Sequence, residues 1–422
     1  MAFKQVRLGD YFKFEKGLGY KGEFLAEESS VGLVGIDSQV PGGGYKHNSE
    51  KPYSGPYKPE HVVDSGDVIV AATDITQDGS VLGSTLMIPE STNYETLIYS
   101  GDVMKAIPLK PDEFGLEYFY NLYRVEKYRK KVAYGDTGTT VRRLSEEGIC
   151  EQLVPLPGLS TQTAINEIIS LIDQQIANNK ALSRNLEALA QSLFKSWFID
   201  FDPVHAKKNG EKPFGMDAET AELFPDSFVK SELGDIPNGW NISNLKDECD
   251  IKQGRYLAPN QMEQLQNEES TVPVIGGNGV LGYTHKSTFT FAVPLITCRG
   301  SKCGLLQWGE FPSWVSNNAM AVTFKHGAQN NFFLLLLFET LNFDEVTTGS
   351  AQPQITITNL GLLEFIMPPV SIIDKFIGIV SHLRNIQDSI KISTSTLEEL
   401  LETLLPRFID SQLVLPSELI AS

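Results

Sequence analysis

A chain of 422 residues is too long for one hydrophobic core and implies two or three domains. Its 41% hydrophobic content, with 23 Phe, 14 Tyr and 4 Trp, describes a folded chain rather than a disordered one. A formal net charge of −18 excludes a protein that grips nucleic acid over its whole surface, so any such contact must come from local concentrations of base.

In chain order, Met1-Ala2-Phe3-Lys4-Gln5 is followed by polar residues at once and does not read as a signal peptide. Residues 1–156 form a first globular domain of short β-branched runs separated by turn clusters such as Pro41-Gly42-Gly43-Gly44. Gly17-Leu18-Gly19-Tyr20-Lys21-Gly22 fits GxGxxG, but no crossover helix follows, which favours a turn over a dinucleotide site. A helix is expected over Leu116–Lys131.

Between Arg124 and Arg143 stand seven basic residues against two acidic ones, a local net charge of +5. They are Arg124, Lys127, Arg129, Lys130, Lys131, Arg142 and Arg143, with Tyr120, Tyr123, Tyr128 and Tyr134 interleaved. A basic helix leading into a loop with Thr139 and Thr140 suits phosphate contacts plus base-edge contacts from Arg. A solvated helix face has the same composition, and charge alone does not choose between the two.

Residues 157–200 read as a long helix, with the periodic part from Ser160 to Trp197. Ile165, Ile172, Asn179, Leu186 and Leu193 fall on one heptad position; Ile168, Gln175, Leu182 and Leu189 are expected on the other. A seam every 3.5 residues marks a coiled coil, and about 36 residues at 1.5 Å rise span roughly 54 Å. Ser160 is placed as the N-cap. Residues 201–240, rich in Pro, Gly and charge, read as a linker, and residues 241–367 as a second globular domain with a helix over Asn331–Leu341. Arg255, Lys286, Arg299 and Lys302 are its candidate contacts, together with Ser350, Gln352 and Gln354 in the loop Thr347–Gln354. Two glutamines there suit bidentate contact with adenine or the capping of a turn.

Residues 368–410 read as a second long helix, entered at Ser371 with Asp374 completing a capping box. Phe376, Leu383, Ile390, Leu397 and Leu404 take one seam position; Ile379, Ile386, Ser393 and Leu400 are expected on the other. Each number is 211 above its partner in the first helix. A tail, 411–422, follows.

The duplication extends beyond the helices. Leu8-Gly9-Asp10 with Lys16-Gly17 recurs as Leu245-Lys246-Asp247 with Gln253-Gly254, an offset of 237 that drops to 211 by Gly138 and Gly349. Two homologous α+β domains with mainly antiparallel or mixed sheets, each followed by its own long helix, are therefore expected. The four cysteines, Cys150, Cys249, Cys298 and Cys303, form no CxxC pair and read as reduced thiols of a cytoplasmic protein. The longest apolar run, Phe332–Phe338, is too short for a membrane span. No P-loop, HExxH or other catalytic signature is found, and Cys298 and Cys303 with His285 and His326 make a poor metal site.

This arrangement resembles the specificity subunit of type I restriction-modification systems, and local strings agree: SWFIDFDPVHAK, GMDAETAELFPDSF, SELGDIPNGW and TTGSAQPQITITNL. The resemblance implies two target-recognition domains that read the halves of a split double-stranded DNA site. It also implies two long antiparallel coiled-coil helices between them, pseudo-two-fold, as a spacer. Asn179 would then face the region near Ile390 and fix register. The helices would dock methyltransferase subunits and, through them, restriction/translocase subunits. Catalysis, S-adenosylmethionine, ATP and Mg²⁺ would belong to those partners, with no cofactor in this chain. One departure concerns the first domain, where GDTGTTVRRLS stands in place of the Gly-Ser-x-Gln form, so the glutamine role does not carry over and Arg142 and Arg143 are the candidates there. A coiled-coil adaptor that binds only proteins is the competing reading, and random duplex DNA at low salt discriminates the two.

Overall fold

The computed structural model describes residues 3–74, 80–133, 142–309, 312–349 and 352–413. They form two compact units, one built from residues 1–180 with 392–422, the other from 181–391. The unit boundaries fall inside the two long helices, Leu159–Phe198 and Val370–Ile409, each of 40 residues.

In the first unit a four-stranded antiparallel sheet has the order Phe12–Lys16, Val103–Pro108, Val68–Ala71, Thr85–Met87. Its central strand is buried on both faces, which is why it reads as the unbroken apolar run Val68-Ile69-Val70-Ala71. Val68 and Val70 face the cluster holding Phe12, Phe14, Phe119 and Tyr123, while Ile69 faces Val34, Leu97 and Tyr99 on the other side. A second, mixed sheet pairs Val31–Val34 with Thr96–Tyr99 in parallel. The expected helix over 116–131 is broken into Leu116–Arg124 and Glu126–Ala133. Val125 between them is extended (ψ 117°) and buries its β-branched side chain in the core.

The second unit repeats this plan. Its sheet has the order Cys249–Gln253, Ala319–Phe324, Val293–Thr297, Leu306–Gly309, again antiparallel throughout. Ile296 faces one core cluster, Val293 and Leu295 the other. Val272–Gly276 and Trp314–Val315 form the parallel pair. The stretch 201–240, read as a linker, is instead part of the core. It folds into helices Asp202–Lys208 and Ala218–Glu222 and a hairpin, Phe228–Ser231 with Gly234–Pro237. Phe201, Val204, Phe224 and Trp240 are buried against Trp197 and Phe198, so a few large apolar residues override the polar composition.

The long helices run antiparallel within each unit. In the first, Ile165 and Ile169 share a core cluster with Leu405, Phe408 and Ile409, and Asn179 reaches Ser393. In the second, the Phe194 and Phe376 rings meet at 5.9 Å, and Gln387 Nε2 donates to the Ser183 carbonyl at 3.2 Å. Each unit is α+β, in line with the class expected.

One heptad column needs correction. Ile165, Ile172, Asn179, Leu186 and Leu193 are buried or half-buried, as are Phe376, Leu383, Ile390, Leu397 and Leu404. The second column expected from the sequence largely faces away: Leu182 is 46% exposed, Leu189 51%, Ile379 41%, Ile386 50% and Leu400 42%. The inward column lies one residue later, at Ile169, Ile176, Ser183, Ala190 and Trp197, and at Val380, Gln387, Thr394, Leu401 and Phe408. Alternating steps of three and four residues, taken in the other order, give the same period.

The helix entrances are also corrected. Ser160 and Ser371 lie inside the helices, and the backbone carbonyls of Gly158 and Pro369 accept the first amides. Asp374 accepts from Asn330 Nδ2 at 2.8 Å, which ties the second long helix to its globular part.

Candidate nucleic-acid interface

Strand register brings several candidates of the second unit to one end of its four-stranded sheet. Gln253 pairs with Met320 and Thr297 with Ala319, so the loops after Gln253, after Thr297 and before Ala319 leave from the same edge. Arg255 lies in the first loop; Arg299 and Lys302 lie in the second. All three are exposed. Arg299 bridges Gln354 in an antiparallel pair, and the Gly300 amide donates to the Pro353 carbonyl at 3.2 Å, which brings the Gln352–Gln354 segment alongside. Lys286 is exposed, outside these loops.

Short-range bonds hold this edge in shape. Gln253 Nε2 donates to the Asn317 carbonyl at 2.7 Å and lies 3.1 Å from Cys298 Sγ. Trp314 Nε1 donates to the Arg255 carbonyl at 3.1 Å. Gly254 is needed because a Cβ there would fall 2.0 Å from the Ser316 carbonyl oxygen.

The first unit has the same edge. Lys16 pairs with Met104 and Ala71 with Val103, and Gly17 replaces Gly254: a Cβ would lie 2.3 Å from the Tyr99 carbonyl oxygen. Beyond Ala71 the chain continues as Thr73–Asp74, which pairs with Arg142–Arg143: Arg142 opposite Asp74, Arg143 opposite Thr73. Arg143 is exposed. Asp74 is buried, and its Oδ2 accepts from the amides of Val81 at 2.7 Å and Leu82 at 3.0 Å.

The basic cluster is largely tied to this chain. Arg124 binds Asp173 through both carboxylate oxygens, at 2.5 and 2.8 Å. Burial works against its charge, but the bond and the charge of Asp173 more than offset that, so its pKa moves up. Lys127 pairs with Asp410, which also accepts from the Tyr128 hydroxyl at 2.9 Å. The Arg129 guanidinium donates to the carbonyls of Tyr123 at 3.0 Å, Gly42 at 3.2 Å and Arg124. We therefore reassign Arg129 to holding the 42–44 turn against the helix. Lys130 makes an exposed pair with Glu126, at 2.7 Å, and its ammonium faces water. Lys131 and Arg142 are placed by their backbone alone, and Thr139, Thr140 and Ser350 lie outside the described residues.

Sequence reasoning did not single out Asp74, Gln253 or Asn317. A side chain that satisfies loop backbone groups has no spacing signature, and only the fold brings its partners near. Among the described residues no group of three or more His, Cys, Asp or Glu side chains is arranged to hold a metal. No helix of the described residues is long and apolar enough to cross a membrane.

Residues 237–402 match the model of the type I restriction modification DNA specificity domain. The type I restriction enzyme HindI specificity subunit of Haemophilus influenzae is 23% identical over 344 residues, 68% of this chain and 74% of that protein. The MjaIX specificity subunit of Methanocaldococcus jannaschii is 28% identical over 159 residues, 38% of this chain and 32% of its own length. The crystal structure of a type I restriction-modification S subunit from M. genitalium superposes with a TM-score of 0.58 at 15% identity, covering 96% of each chain, which shows a shared fold. Over residues 237–402 this chain is thus similar to the type I restriction modification DNA specificity domain, and over 68% of its length it is similar to a type I restriction enzyme specificity subunit.

Proposed function

We propose that this chain is the non-catalytic DNA-recognition subunit of a type I restriction-modification complex. Each unit reads one half of a bipartite double-stranded DNA target, and the paired long helices set the separation of the halves. The observation that carries this reading is the repetition of one sheet edge in both units, with the same obligatory glycine (Gly17, Gly254) and with exposed arginine beside it: Arg143 on a paired strand in the first unit, Arg255 and Arg299 in loops of the second. Two similar modules on a duplex suit half-sites about one helical turn, ~34 Å, apart. Lys302 and Arg255 are assigned phosphate contacts or base readout at the second unit's edge, Lys130 a phosphate contact from its helix, and Gln352 and Gln354 supply amide donors and acceptors.

The helices also dock methyltransferase subunits. Exposed apolar side chains outside the seam support this: Leu182, Leu189, Ile379 and Ile386 in the second unit, Leu171, Ile392 and Leu400 in the first. Seam packing does not use these residues, and apolar surface of this kind marks partner faces. S-adenosylmethionine, ATP and Mg²⁺ are assigned to the methyltransferase and restriction/translocase partners. Acidity of the lone chain is consistent with partners supplying part of the DNA grip.

The test is genome-wide mapping of methylated bases in cells that hold the methyltransferase subunits with and without this chain. A two-part motif that appears only with the chain is the expected result. A protein-only adaptor would leave the methylation pattern unchanged, and no duplex binding at low salt would accompany it.

A further inference from the structure

The repeated edge can be aligned residue by residue. In the first unit the Leu144 amide donates to the Ala72 carbonyl at 2.8 Å; in the second, the Ile355 amide donates to the Cys298 carbonyl at 3.0 Å. Leu144 and Ile355 are both buried, and each precedes a hydroxyl that caps a short helix. Ser145 accepts from the Gly148 amide, Thr356 from the Asn359 amide. This alignment makes Arg143 the counterpart of Gln354, and Thr73 the counterpart of Arg299. The first unit therefore sets Thr opposite Arg, whereas the second sets Arg opposite Gln.

We propose that Arg143 and Arg299 are exchanged counterparts: at the same cross-strand pair each unit has one arginine, from opposite strands, and each determines specificity only in its own half of the target. Directly opposed residues on a ladder are about 5 Å apart, so two arginines across it would repel. One guanidinium at this pair, on an exposed residue at the edge where the loops converge, supplies a two-pronged donor suited to the O6 and N7 acceptors of guanine. In the second unit Gln354 adds an amide beside the arginine, whereas in the first the threonine opposite Arg143 adds only a hydroxyl. The two edges thus present different donor and acceptor sets from one backbone frame, as reading two unlike half-sites requires.

The inference rests on the DNA-reading role proposed above, and its test separates the two. The full chain is produced with its methyltransferase subunits, and methylated bases are mapped for the wild type, Arg143→Gln and Arg299→Thr. Arg143→Gln should relax discrimination in one half of the motif and Arg299→Thr in the other, each by about ten- to a hundred-fold at the affected base pair. Arg143→Lys and Arg299→Lys keep the charge but lose the fork, so they should relax the same half as the matching variant. These variants also provide the readout where the first pair fails to fold, as judged by thermal unfolding. Effects of both arginines on the same half, on both halves, or on neither would overturn the exchange while leaving the two-part motif of the wild type in place. Absence of any motif with the wild-type chain would instead remove the DNA-reading role and this inference with it.

Discussion

Arg124 Nη1 and Nη2 bind the two carboxylate oxygens of Asp173, at 2.5 and 2.8 Å, and so fasten the helix Leu116–Arg124 to the first long helix. Arg124 is 11% exposed in its side chain and Asp173 37%, so the pair is shielded on one side and wet on the other. Arg124→Ala should destabilise the first unit by about 2–3 kcal/mol, less than a fully buried pair because solvent screens Asp173. Denaturant unfolding of Arg124→Ala, Asp173→Ala and the double variant measures it. Additive losses would show that the bond contributes nothing.

Asn179 is a buried polar residue in the seam. Its Oδ1 accepts from Gln175 Nε2 at 2.9 Å, and its Nδ2 lies 3.4 Å from Ser393 Oγ. Such a residue costs stability and fixes register. Asn179→Leu should raise the unfolding midpoint by the equivalent of about 1 kcal/mol. It should also permit alternative helix pairings, detectable by cross-linking cysteines placed across the seam. A lower midpoint would contradict this assignment.

Gly17 and Gly254 stand against backbone carbonyls that have no freedom to give way. Gly17→Ala and Gly254→Ala should each cost about 1–3 kcal/mol and perturb their own sheet edges. Hydrogen exchange, read unit by unit, locates the effect. A neutral substitution at either position would mean that the two edges are not built alike.

Burial pushes the Cys249 thiol up to about 12, with the charge of Glu248 adding to the effect. The fold therefore favours the neutral thiol. That contribution is complete below its ordinary value near 9 and is lost as the pH rises towards 12. Cys249 should resist thiol reagents in the native protein at pH 8 and react once the protein is unfolded. Stability should fall above pH 9, by less in Cys249→Ala. Rapid native labelling would contradict the burial.

Much of the fold was legible in the sequence because it is written twice. The 211-residue offset and the column from Ile165 to Leu193 rest on residues, apolar except for Asn179, that the structure buries or half-buries. The second column was misread because Leu182, Leu189, Ile379 and Ile386 are apolar yet face outward, whereas the inward column contains Ser183, Ala190, Gln387 and Thr394. Apolar character alone does not say which side of a long helix a residue takes, and outward apolar residues carry the same heptad signal as those in the seam. Residues 201–240 looked like a linker because their charged and turn residues outnumber the few rings that anchor them. The basic cluster was visible as composition, but its partners Asp173 and Asp410 lie far along the chain. Arg299 and Gln354 meet only through strand pairing, so no sequence spacing announces them.

The central claim is that two reading units are held at a distance set by the paired helices. Its most direct test is to insert one heptad into both long helices, after Lys180 and before Ile392, and to map methylated bases. Seven residues add about 10.5 Å, roughly three base-pair steps of 3.4 Å. The account predicts a motif with both half-sites unchanged and a longer unspecified stretch between them. Full methylation of the original motif at its original spacing would contradict it.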